Sequence, residues 1–229
     1  MRKRFLSWLD REFVELSAEA QPAASAADEA SLLFQRFDDE LTGDGLSLNG
    51  TVRTRLWARD RQSRDLASIE RRRILSGEAR SASSSYIAPG HFDSDGRVAV
   101  DLLAMISPKA DARKHLVEYD PPIVPIRFLV YDSVVVLSGV TSVQPTLEGQ
   151  LDNILPRIEG SLTEAGTTWA SVARISFYLH RSRAIKELQT LFDARIQASI
   201  PNREVVLVDG FSTEGKLCEI EVTGVVQAP

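Results

Sequence analysis

Residues 200–226 read IPNREVVLVDGFSTEGKLCEIEVTGVV, and this stretch decides the fold. Positions 203–208 are rich in β-branched residues, and from Leu217 onward apolar and polar residues alternate with period two. The stretch therefore predicts two strands joined by a glycine-bearing loop. In the second strand Cys218, Ile220 and Val222 point one way, and Glu219, Glu221 and Thr223 the other. One face suits a core; the other is acidic.

Upstream, 126–139 predicts two strands, IRFLVY and SVVVLSG. Leu147, Leu151, Ile154, Leu155, Ile158 and Leu162 predict an amphipathic helix that Pro156 should bend or interrupt. A turn at Ala165 and Gly166, the strand VARISFYLH, and a helix with Ile185, Leu188, Leu191, Phe192 and Ile196 inward lead back to the opening stretch. The first half repeats this order: two strands over 4–18, a helix over 26–41, a strand over 51–59, a basic helix over 64–75, and strands over 81–88 and 97–106.

Ser17 and Ser138, Gly45 and Gly166, Arg53 and Arg174, and Trp57 and Tyr178 all lie 121 positions apart. A constant offset across separated points indicates a tandem duplication. Four prolines and many charges in 107–125 read as a linker, because proline removes a donor and restricts its predecessor. The expected organisation is a unit over 1–107, a linker over 108–125 and a unit over 126–229.

The Pro201-Asn202-Arg203 opening followed by Glu219-Ile220-Glu221 resembles the C-terminal part of the RidA family, also called YjgF/YER057c/UK114. The resemblance covers the second half throughout and the first half more weakly, through DGLSLNGTVRTRLWARD and GEARSASSSYIA. It implies an α+β fold of two tandem ββαβαββ units, each a mixed sheet with two helices on one face. It also implies trimers, and hydrolysis of reactive enamines or imines without a cofactor.

Residue by residue, the resemblance makes Arg203 the anchor of a substrate carboxylate and Glu219 the group that faces the bound substrate. Ser138, before Gly139, matches the family. The pocket tyrosine of the first strand falls near Pro125, leaving Arg127 and Tyr131 as the nearby candidates. The asparagine of the second helix is replaced near Leu188, and the cysteine after the arginine is Val205. In the first half Arg80 resembles the anchor, as a vestige, while Ala99 stands in place of Glu219.

An amino-acid enamine or imine carries a carboxylate and a carbon–nitrogen double bond open to water. A guanidinium holds the carboxylate through two parallel hydrogen bonds, and a nearby carboxyl group can position water and move protons. The plainer alternative is that Arg203 and Glu219 form a cross-strand ion pair on a solvated face. Chorismatases, which look like two such units in tandem, offer a second enzymatic reading; a non-catalytic carboxylate-binding or assembly protein offers a third.

The 229 residues are 43% hydrophobic and 26% charged, an ordinary globular composition. No apolar run approaches the roughly 20 residues needed to span a bilayer, and Asp10 interrupts the short run FLSWL, so the expected location is the cytoplasm. A formal net charge of −5 argues against a nucleic-acid partner. One cysteine excludes an intrachain disulfide, Cys218 on the apolar face reads as core, and His91, His115 and His180 are scattered, so no metal site is expected.

Between Arg53 and Arg80 nine arginines face four acids. The alternating Arg53, Arg55, Trp57 and Arg59 read as a charged solvated face, a subunit contact or an anion-binding surface.

Overall fold

The computed structural model describes residues 1–226. The chain forms two compact units, one spanning Met1–Lys114 and one beginning at His115.

In the first unit, β1 (Arg2–Trp8) and β2 (Arg11–Glu19) form a hairpin whose turn residues, Leu9 and Asp10, both have φ of 55°. Positive φ at both turn positions matches the twist of a two-residue hairpin. α1 (Ala26–Gly43), β3 (Thr51–Ala58), α2 (Arg61–Ile74), β4 (Ala82–Ile87) and β5 (Val98–Ile106) follow. The sheet order is β1-β2-β5-β3-β4, with only β3 and β4 parallel.

Both helices start on side-chain caps. Ser25 Oγ accepts from the Asp28 amide at 3.1 Å, and Asp60 Oδ1 from the Ser63 amide at 2.8 Å. Leu16, Leu56, Val100 and Leu102 of the sheet pack against Phe34 and Phe37 of α1. Lys114 closes the unit: the carbonyls of Asn49, Thr51, Glu78 and Arg80 surround its ammonium at 2.7–3.1 Å and share its three N–H donors.

The expectation of a solvated face on β3 is corrected. Arg53, Arg55 and Trp57 are 4%, 6% and 4% exposed. Charged residue types at alternate positions suggest solvent, yet these side chains are buried on a strand that lies between β5 and β4. Trp57 Nε1 donates to Asp101 Oδ2 at 2.8 Å. Arg59 donates to the Gly96 carbonyl at 2.8 Å and lies over the Phe92 ring at 4.7 Å.

The second unit comprises β6 (His115–Val117), β7 (Phe128–Tyr131), β8 (Val134–Leu137), β9 (Val140–Thr141), α3 (Leu147–Glu164), β10 (Val172–His180), α4 (Ile185–Asp193), β11 (Asn202–Val208) and β12 (Cys218–Val225). Its sheet runs β11-β10-β12-β8-β7-β6, with β9 also on β12, and β10 and β11 are parallel. Ile154 and Ile158 of α3 and Phe192 of α4 cover Ile175, Phe177 and Ile220.

Two readings change here. His115–Val117 lies within the expected linker but pairs with β7, His115 opposite Val130, so it is a strand of the second unit. Of the expected bend or interruption at Pro156, the interruption does not occur: α3 continues through it. The carbonyl deprived of its donor is that of Asp152, on the exposed side of the helix, where water can satisfy it.

The duplication is written into the sheet register. Between β3 and β5 the pairing shifts from Thr51–Ala104 to Arg53–Leu103; between β10 and β12 it shifts from Val172–Gly224 to Arg174–Thr223. The two irregularities occupy equivalent positions, so even a local defect of the sheet recurs.

Candidate functional site

Glu219 is 5% exposed, and its cross-strand neighbours are Tyr178 on β10 and Thr141 on β9. Cys218, Ile220 and Val222 alternate with it into the core beneath α3 and α4, which places Glu219 on the other face. β8 and β9 form one interrupted strand along β12. Thr223 pairs with Val136 and Ile220 with Val140, so residues 221–222 oppose residues 137–139. The extra residue makes a bulge at Ser138 and Gly139, a device that re-aims side chains beside functional sites.

A Cβ at Gly139 would stand 1.8 Å from Glu219 Oε1. Glycine alone lets the carboxylate lie against the bulged backbone. The strand carrying Glu219 is fixed from α3 by Gln150, which is 0% exposed. Its Nε2 donates to the carbonyls of Gln144 at 2.8 Å and Gly215 at 2.7 Å, while its Oε1 accepts from the amides of Leu217 at 2.8 Å and Cys218 at 3.3 Å. Full use of a buried amide locks the entry to β12. Cys218 is 0% exposed, and burial pushes its thiol pKa far up, away from nucleophilic chemistry.

Tyr119 and Arg157 join this neighbourhood. Burial raises the Tyr119 pKa; the charge and hydrogen bond of Arg157 and the charge of Arg127 work against that, and the Glu219 carboxylate adds to it. The Arg157 guanidinium lies 5.9 Å from the Tyr119 ring centroid, and Nη1 donates to the carbonyl of Thr141 at 2.7 Å. Among the described residues Arg157 makes no ion pair, which leaves its positive charge available to a ligand. Sequence reading missed Tyr119 because it lies in the proline-rich segment; its signal was the short apolar run before it, HLV, which is β6.

The expected site residues fall in different places. Ser138, 1% exposed, is in the bulge beside Gly139, and its amide donates to the Arg127 carbonyl at 3.2 Å. Arg127 itself is ion-paired with Glu164 and donates to Ser161 Oγ at 3.2 Å, so α3 holds it. Tyr131 pairs with Val134 at the β7–β8 hairpin tip. Val134 in turn faces Val225, six residues from Glu219 along β12, roughly 20 Å away.

Arg203 pairs with Ile175, a core residue, and so leaves the helix face. There it binds Asp193 Oδ1 at 2.6 Å and the Ala198 carbonyl at 3.3 Å, with the Phe192 ring at 5.1 Å. Arg203 and Glu219 are thus not on adjacent strands: β10 separates them, and their side chains leave opposite faces. In the first unit Trp57 faces Ala99 as Tyr178 faces Glu219, so alanine does replace the acid. Thr54 faces Ser83 as Ile175 faces Arg203; Ser83, not Arg80, is the register counterpart of the arginine. Arg80 precedes β4, at the end of a 3-10 turn.

A chorismatase crystal structure aligns with 93% of this chain and 75% of its own, at a TM-score of 0.65 and 14% identity. The likeness shows a shared fold that extends over both units of this chain. Single-unit structures match about half of this tandem chain. A YjgF/YER057c/UK114 family member from Mycobacterium tuberculosis is 26% identical over 50% of this chain and 100% of its own, at a TM-score of 0.43. A YjgF family protein from Neisseria meningitidis is 20% identical over 51% of this chain and 98% of its own, at 0.46. No family model and no curated protein matches the sequence.

Among the described residues, no group of three or more His, Cys, Asp or Glu side chains is placed to hold a metal ion. No helix among them is long and apolar enough to cross a membrane.

Proposed function

We propose that this chain hydrolyses the carbon–nitrogen bond of a small enamine or imine acid and releases ammonia. The observation that carries the reading is the buried Glu219 carboxylate, seated against Gly139 where no other residue would leave it room. Arg157 supplies the cation for the substrate carboxylate, and Tyr119 beside it remains a protonated donor at neutral pH.

The chemistry is simple. Glu219 takes a proton from water as its oxygen bonds to the imine carbon, and the nitrogen is protonated. In the resulting carbinolamine Glu219 takes the hydroxyl proton and passes it to the nitrogen as the C–N bond breaks, giving ammonia and an oxo acid. A positioned acid/base contributes about 10²- to 10⁴-fold, enough for a substrate that already reacts with water. In this reading the protein works in the cytoplasm without a cofactor, as a homo-oligomer for which a trimer is expected; light scattering on the purified protein measures that state.

The full-length likeness to a chorismatase supports a second reading, cleavage of a chorismate-type enol ether by the same acid. One experiment separates them: ammonia release from freshly generated imino acids, and pyruvate release from chorismate, for wild type, Glu219→Gln and Arg157→Ala. Ammonia lost in both variants supports the deaminase. Pyruvate release alone supports the second reading. No product in either assay points to a carboxylate-binding protein without turnover.

A further inference from the structure

The first unit contains a cleft of about 780 Å³, a size that suits a small ligand. Its floor is set by the sheet register. Arg2 pairs with Ser17 and Ser17 with Asp101, which places Arg2, Ser17 and Asp101 in one row across β1, β2 and β5. Successive strands lie roughly 4.8 Å apart, so the guanidinium of Arg2 and the carboxylate of Asp101 flank Ser17 from about 10 Å at their backbones. The next row is Glu19, Ala99 and Trp57. Ala99, the counterpart of Glu219, lines the cleft where the second unit carries its acid.

The walls are prepared. Trp57 Nε1 donates to Asp101 Oδ2 at 2.8 Å and fixes that carboxylate, and His91 stacks on the Trp57 indole at 4.2 Å and 14°. Glu19 is already occupied, accepting from the amides of Asp93 and Ser94 at 2.9 Å. Two exposed guanidiniums, Arg2 and Arg36, line the cleft, and among the described residues neither makes an ion pair. One oriented carboxylate and two guanidiniums without an ion pair line the same cleft, with the Ser17 hydroxyl in the row between Arg2 and Asp101, a set that matches a ligand carrying an ammonium and a carboxylate on one carbon.

We propose that this cleft binds a free α-amino acid, its ammonium on Asp101 and its carboxylate on Arg2 and Arg36. The cleft is lined by residues of the first unit and acts as a binding site only, since no acid faces its ligand at position 99.

The test is calorimetric titration of the full chain with each of the twenty amino acids, and with matched acids lacking the amine, such as propionate for alanine. At least one amino acid is expected to bind saturably, one per chain. Binding should weaken at least tenfold in Asp101→Asn and in Arg36→Ala, and remain unchanged in Glu219→Gln. Ser17→Leu, which blocks the row without removing a charge, should abolish it, with far-UV circular dichroism confirming the fold of each variant. The proposal is overturned if no amino acid binds, if affinity survives Asp101→Asn or Ser17→Leu, or if the acid lacking the amine binds as tightly.

Discussion

Arg203 and Glu219 leave opposite faces of one sheet, with β10 between their strands. Two strand spacings and three residues of offset along β10 separate their backbones, roughly 10 Å in each direction. A guanidinium clamped to Asp193 over the Phe192 ring is a brace between β11 and α4.

Arg203→Ala is therefore expected to lower stability by about 1 kcal/mol, through the lost stem packing and a half-exposed ion pair. Its effect on KM should be smaller than that of Arg157→Ala. Urea midpoints and steady-state kinetics on the two variants check this; a larger KM increase in Arg203→Ala returns the anchor to β11.

Gly139→Ala places a methyl carbon on the Glu219 carboxylate. The acid must turn away or the bulge must open, at a cost of about 1–3 kcal/mol. Turnover should fall about 10²-fold or more, because the group is displaced, while Arg157-dependent binding persists. Comparing kcat with substrate binding separates these.

Gln150→Leu removes an amide that satisfies two carbonyls and two amides at the entry to β12. Leaving such groups buried without partners costs about 1–3 kcal/mol each, so the variant is expected to lose at least 3 kcal/mol. Hydrogen exchange should show the Leu217 and Cys218 amides exchanging faster.

Tyr119 titrates above the ordinary phenol value because burial disfavours the phenolate, and Arg157 partly offsets this. Removing the cation in Arg157→Ala should raise the pKa further, read as the 295 nm phenolate absorbance that Tyr119→Phe lacks. The folded state holds its proton more tightly than the unfolded one, so this residue's stabilising contribution is complete below pH 10 and declines as pH rises through the folded value.

Strand and helix periodicity made the fold legible. The alternation of Cys218, Ile220 and Val222 with Glu219 and Glu221 set the core and open faces of β12, and the 121-residue offset predicted a duplication that the register repeats. Strand order was not legible, because it depends on pairings between distant segments: Arg203 and Glu219 are close in sequence, yet β10 inserts between them. Arg53 and Arg55 misled through residue type, since arginines at alternate positions read as solvated and both are buried. Tyr119 was hidden because prolines at 121, 122 and 125 dominate their neighbourhood, while the three residues of β6 are too few to show a period.

The interlock of Gly139 with Glu219 has no counterpart in the first unit. There Ala99 stands at the register position of Glu219, and Ala18, opposite Val100, turns into the core as Val140 does opposite Ile220. β2 pairs with β5 without a register shift from Glu12 to Glu19, so the copy without the acid is also the copy without the bulge. The carboxylate and the break in the strand beside it form one inherited unit, present together in one copy and absent together from the other.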